Sequence, residues 1–167
     1  MLNCSKLTAM IKKLVLGMGI LLIVIQFIRP AYNQSTDSSK DITTVVAVPD
    51  DVQKILKSSC YDCHSNYTNY PWYDKIQPVR WWVEHHIKEG KMHLNFSEFA
   101  NYSIKKQLEK INDLGETIDN DEMPLPAYTI MHKEAKLTVA EKELLINWAN
   151  ETYDMMDASN SESSIEP

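Results

Sequence analysis

The chain has 167 residues, 44% of them hydrophobic, and carries 17 Lys and Arg against 23 Asp and Glu. That length accommodates one domain plus appendages, with enough apolar sequence for a core. Four basic residues precede Pro30 and no acidic residue precedes Asp37, so the remainder has 13 basic against 23 acidic residues, a net of −10; this disfavours nucleic acid, which needs a basic footprint, and suits a basic partner protein.

Leu14 to Ile28 (LVLGMGILLIVIQFI) is almost unbroken apolar sequence. As a helix it would span about 22 Å, short of a hydrocarbon core of roughly 30 Å. Adding Ile11 and letting Lys12 and Lys13 snorkel brings it close to spanning. The alternative is a cleaved signal peptide, but the stretch ends in Arg29-Pro30 without a small-x-small site. An uncleaved anchor over residues 1–30 is the favoured reading. Lys12 and Lys13 place the N-terminus in the cytoplasm and everything after Pro30 on the exported, periplasmic side.

Residues 31–48 (AYNQSTDSSKDITTVVAV) have the composition of a flexible tether. The folded domain is expected over residues 49–155. Asp50 or Asp51 can cap a first helix in which Val52, Ile55, Leu56 and Ser59 share one face.

That helix runs into Cys60-Tyr61-Asp62-Cys63-His64, whose spacing is that of a c-type haem attachment site. Each thiol adds across one vinyl group to form a thioether. His64 then falls beneath the iron as its proximal axial ligand. A redox dithiol would leave His64 incidental and lacks a βαβ setting. A zinc site needs four ligands and there is no second Cys pair, because the one other cysteine, Cys4, precedes the apolar segment. A disulfide across two residues is strained.

The following loop, SNYTNYPWYDKIQP, places Tyr67, Tyr70, Trp72 and Tyr73 either along a haem crevice or in a satellite core. Pro78 opens and Gly90 closes a second helix, with Val79, Trp82, Val83, His86 and Ile87 on its apolar face. His86 there reads as a core residue bonded to a carbonyl rather than a ligand. A connection containing Met92 and His93 could fold over the haem. Ser103 then caps a third helix, with Ile104, Leu108 and Ile111 inward and Gly115 ending it.

In DNDEMPLPAY, Pro124 and Pro126 oppose regular structure. Met123 in this acidic loop serves either packing or iron ligation. Met92, His93, Met131, His132 and His86 are the weaker candidates for the sixth ligand. Thr138 and Glu141 form a capping box for the last helix, whose stripe is Ala140, Leu144, Leu145 and Trp148. Residues 156–167 are acidic, Ser-rich and expected to be disordered.

The chain resembles the membrane-anchored haem-binding domain family of small exported monohaem proteins, over about residues 15–150. The resemblance is carried by Gln26-Phe27-Ile28-Arg29-Pro30, CYDCHSNYTNYPWY at 60–73, Pro78, Trp82, Gly90, Leu94-Asn95-Phe96-Ser97 and Glu122-Met123-Pro124. Tyr128, His132, Ala135, Leu137, Glu141 and Trp148 complete it. It implies one haem c bound covalently at Cys60 and Cys63 with His64 axial, and leaves the sixth ligand open. The expectation is a mainly α, cytochrome-c-like domain behind a membrane anchor, working by one-electron transfer rather than as an enzyme. A haem-based sensor needs an exchangeable sixth position. A peroxidase of the dihaem type needs a second CxxCH, which is absent.

Overall fold

The computed structural model describes residues 4–163. It is mainly α, as expected. Among the described residues there are seven α-helices joined by short 3-10 turns, and no strand beyond a single antiparallel bridge between Gln34 and Tyr67. The helices are α1 (Cys4–Ile25), α2 (Asp50–Ser59), α3 (Tyr61–His64), α4 (Val79–His93), α5 (Ile104–Asp119), α6 (Pro126–Met131) and α7 (Val139–Ser163). Two compact units result, one of the residues up to Tyr32 with Tyr70–His86, the other of Asn33–Asn69 with Ile87 onward.

In the first unit, Lys6–Ile25 of α1 is long and apolar enough to cross a membrane. The helix starts earlier and stops earlier than the apolar run suggests, because Gln26, Phe27 and Ile28 close it as a turn on the carbonyls of Ile23, Val24 and Ile25. Carbonyls beyond that end are taken by side chains from Gln77–Trp81. Gln77 Nε2 donates to Ile28 O at 2.8 Å, Trp81 Nε1 to the same oxygen at 3.1 Å, and Arg80 Nη2 to Pro30 O at 2.5 Å. Arg80 also lies 4.0 Å over the Tyr32 ring and 3.6 Å from Asp74, with both charged side chains buried. Burial pushes the Asp74 carboxyl up, and the Arg80 charge opposes that rise.

In the second unit the core joins Val52, Ile55 and Leu56 of α2, Phe96 and Phe99, Ile111, Leu114 and Ile118 of α5, and Leu145, Trp148 and Ala149 of α7. The α2 face is the expected one. Its cap is Pro49 rather than an aspartate, and Asp50 and Asp51 instead occupy the first turn, where the helix dipole favours carboxylates. The capping box of α7 forms: Thr138 N donates to Glu141 Oε2 at 2.8 Å and Glu141 N to Thr138 Oγ1 at 3.3 Å. In its stripe Leu145 and Trp148 are buried, while Ala140 is exposed. Ser103 caps α5, Leu108 and Ile111 point inward, and Ile104 faces solvent.

Four further expectations need correction. Residues 33–48 are no tether: Ser35 N donates to Asn66 O, Thr68 N to Asn33 O and Trp148 Nε1 to Ala47 O, while Ile42 is fully buried in the core. Gly115 does not end α5, which runs on to Asp119; a Cβ there would meet Ala149 Cβ at 3.6 Å, so the glycine sits at the α5–α7 contact. Likewise Gly90 does not end α4, which continues to His93. The acidic tail is helical as far as Ser163, and the expectation for residues 164–167 lies outside the described residues.

Because Ile42 fills core space, Ile42→Ala should cost about 2–5 kcal/mol in urea denaturation followed by circular dichroism. A loss below about 0.5 kcal/mol, the range of an ordinary surface change, would return the segment to a tether.

Candidate functional site

Cys60, Cys63 and His64 fall on a single turn. The α2 backbone breaks at Cys60 (φ −126°, ψ −42°), and α3 restarts with Cys63 N and His64 N both donating to Cys60 O, at 3.1 and 2.9 Å. Both thiols and the imidazole are therefore carried by one short helical turn.

The imidazole is fixed by chain distant in sequence. His64 Nδ1 lies 3.0 Å from Leu94 O. A carbonyl can only accept, so Nδ1 carries the proton and Nε2 keeps its lone pair. Burial pulls the His64 pKa down, against the opposing pull of the Leu94 and Gly90 carbonyls, so the ring is held neutral. A neutral imidazole with a defined tautomer and a free Nε2 is what iron ligation requires.

The segment Leu94–Ser97 that supplies this carbonyl is itself locked to the turn. Asn95 Nδ2 donates to Asn66 Oδ1 at 2.9 Å, Asn66 N to Ser97 Oγ at 3.1 Å, and Asn95 N to Tyr102 Oη at 3.0 Å. Phe96 is buried, stacks on Tyr61 at 4.9 Å between centroids, and presents its ring to His64 at 6.3 Å. Tyr61 Oη donates to Asp41 Oδ2 at 3.2 Å, and desolvation together with that carboxylate raises the phenol's pKa. Gly90 closes the other side: a Cβ on it would stand 2.7 Å from Cys63 O, so α4 crosses the turn where only hydrogen fits.

Asp62, between the two cysteines, reaches outward. Its Oδ1 accepts from Asn69 N at 3.0 Å and its Oδ2 from Tyr128 Oη at 2.7 Å. Tyr128 lies on α6 and stacks against His132 at 4.3 Å, and His132 Nδ1 is 3.3 Å from Glu134. Through this bond α6, the segment that follows the Met123 loop, is brought to the CxxCH turn. Met123 itself is partly buried, with its backbone N–H, like that of Glu122, on Thr117 O at the end of α5. Pro126 does not prolong the irregular loop but opens α6 at its start, where its missing N–H has no helical partner to lose.

Met92 and His93 belong to the last turn of α4 and are exposed. His86 donates from Nδ1 to Trp82 O at 2.8 Å and packs on the Trp82 ring, partly exposed rather than in a core. Met131 is also exposed. The aromatic loop divides: Tyr67 and Trp72 face outward, whereas Tyr70 meets Tyr32 edge-on and donates to Glu84 at 2.8 Å.

The thiols are neutral. Desolvation pushes Cys60 up to about 12 and Cys63 up to about 11, helped by the neighbouring thiol and by the Asp62 charge respectively. A reactive redox dithiol depends on a lowered thiol pKa, the opposite of what burial does here. Among the described residues no cluster of three or more His, Cys, Asp or Glu could hold a metal ion by itself.

The profile of the haem-binding domain family matches residues 20–151. The chain belongs to that family. No curated protein and no solved structure is detectably similar to it. For a haem-binding domain the turn has a fitting donor set: a neutral imidazole whose second nitrogen is committed to a carbonyl, beside two uncharged sulfurs. Asp62–Tyr128 and Leu94–Ser97 are contributions that sequence reasoning missed. The LNFS motif and Tyr128 marked the positions without showing their partners.

Gly90→Ala should force α4 or the CxxCH turn to shift. Expected are a loss of about 1–3 kcal/mol in denaturation and reduced haem content in the purified protein. Gly115→Ala, with ordinary contact distance at its Cβ, should be neutral or gain up to about 1 kcal/mol from helix propensity. Equal losses at both positions would show that Gly90 is not specially constrained.

Proposed function

We propose that this haem-binding domain is a membrane-anchored, exported, cytochrome-c-like carrier of a single covalently bound haem c, working by one-electron transfer. The observation that supports it most is the His64 imidazole, with Nδ1 donating to Leu94 O and Nε2 left for iron, on the same turn as Cys60 and Cys63. Cys60 and Cys63 would provide the two thioether sulfurs and His64 the proximal ligand. When bound, the haem supplies a one-electron ferric/ferrous couple. The protein's part is to hold His64 as a neutral ligand, to orient it through Leu94, and to keep the turn in place through Asp62 and Gly90.

Anchoring is supported by Lys6–Ile25. Export is supported by Lys12 and Lys13 ahead of the most apolar stretch and by the chemistry of haem attachment, which takes place on the exported side. The net of −10 after Pro30 favours a basic redox partner, reached through long-range attraction.

Met123 is the proposed sixth ligand. Its loop leads directly into α6, which Tyr128 fastens to Asp62 within the CxxCH turn. Its thioether would join His64 in holding the iron, and would raise the reduction potential relative to a second imidazole. The ferric wild type should show the weak far-red band of a sulfur-ligated haem, and the ferrous form should resist carbon monoxide. Met123→Ala should erase the band and admit carbon monoxide. Ready binding of carbon monoxide by the wild type, or an unchanged spectrum in the variant, would remove Met123 and favour a haem-based sensor.

A further inference from the structure

Between Trp72 and Trp82 the usual distribution of polarity is reversed. The polar residues Asp74, Gln77 and Arg80 are 1%, 3% and 2% exposed, while Trp72, Ile76 and Trp82 are 69%, 51% and 47% exposed. The buried polar groups are not isolated. Gln77 and Arg80 donate to the carbonyls of Ile28 and Pro30, and Arg80 faces Asp74. Having turned its hydrogen-bonding groups onto the chain leaving α1, the segment presents rings and aliphatic side chains outward. In water such a surface forgoes the stabilisation that burial of apolar area gives.

Its position relative to α1 is set by Gln26, the first residue after that helix. Gln26 Nε2 donates to Leu22 O at 2.9 Å and to Gln77 O at 3.2 Å, while Gln26 Oε1 accepts from Gln77 N at 3.0 Å. Gln77 is thereby fastened side by side with the last turn of α1. With Lys12 and Lys13 snorkelling to the cytoplasmic headgroups, Leu14–Ile25 rises only about 18 Å at 1.5 Å per residue, less than a hydrocarbon core of roughly 30 Å, so the end of α1 at Ile25 reaches no farther than the exported edge of the bilayer. Residues hydrogen-bonded to Gln26 then stand at the headgroup level, where Trp side chains are enriched because an apolar ring and a polar N–H are both accommodated. Phe27, 83% exposed, continues the same apolar surface, and the exposed Arg29 and Lys75 offer cations to phosphates.

We propose that the surface formed by Phe27, Trp72, Ile76 and Trp82 lies in the lipid headgroup layer as an interfacial collar around the exit of α1. The partner is the membrane lipid itself. This rests on the anchor reading given under Proposed function. The segment Trp72–Trp82 is then a membrane-contacting element.

The test uses the full-length haem-loaded chain, labelled with 5-fluorotryptophan, in phosphatidylcholine–phosphatidylglycerol nanodiscs. Its four Trp signals are assigned by Trp72→Phe, Trp81→Phe and Trp82→Phe. Fluorine spectra are compared with and without headgroup-proximal spin-labelled lipid, and with and without a water-soluble gadolinium chelate. Trp72 and Trp82 should lose intensity several-fold with the lipid label and little with gadolinium, whereas Trp148, 5% exposed, should respond to neither. If gadolinium alone broadens Trp72 and Trp82, the collar is overturned. If neither agent reaches them, protein covers the face and the collar is likewise overturned. Alkaline carbonate extraction of native membranes, run in parallel, judges the anchor separately. Release of the chain would overturn the anchor and the collar together, while retention with gadolinium-broadened Trp signals would overturn the collar alone.

Discussion

The hydrogen bond from His64 Nδ1 to the Leu94 carbonyl is the contact on which the site depends. It joins two pieces of chain thirty residues apart and sets the imidazole tautomer at the same time. Everything around it serves to keep Leu94 in place. Asn95 and Ser97 are bonded to Asn66, just beyond His64, and Phe96 fills the space between Tyr61 and the core. On the opposite side Gly90 lets α4 approach the Cys63 backbone more closely than any other residue allows. A backbone carbonyl is a suitable orienting partner, since it cannot titrate and no side-chain substitution removes it.

The same economy holds at the end of α1. A helix that stops leaves carbonyls with no partner within the helix. Here Gln77, Trp81 and Arg80 supply donors to those following α1, and Gln26 completes the join in both directions. The Asp74–Arg80 pair is buried in the process, and such pairs specify an arrangement more often than they stabilise it. Within the second unit, Ile42 and Trp148 tie residues 33–48 to the core, so this stretch is part of the fold.

Features governed by neighbours in sequence are legible in the sequence alone. The apolar face of α2, the Thr138–Glu141 box, the Ser103 cap and the CxxCH turn each rest on residues within one or two helical turns of one another. What escapes depends on long-range contacts. Residues 33–48 have the look of a tether because small polar residues carry no periodicity, yet Asn33, Asp41 and Ile42 each bind distant partners. Gly90 and Gly115 have the look of helix stops because glycine usually marks them; at Gly90 the reason is the close approach of the Cys63 backbone, whereas Gly115 sits at ordinary contact distance from Ala149 inside a continuing helix. The apolar pattern of Val79–Ile87 suggests a core face, but Val79 and Trp82 on it are exposed, as periodicity marks an apolar face without saying what covers it.

The central claim is that the Cys60–His64 turn binds one haem through both sulfurs. Intact mass measurement of the denatured full-length chain, made in cells that carry a haem-attachment system and treated with a thiol alkylating reagent, tests it most directly. The account predicts a single species heavier by one haem and one alkyl group, the latter on Cys4, with Cys60 and Cys63 both refractory to alkylation. A haem-free chain alkylated at all three cysteines would contradict it.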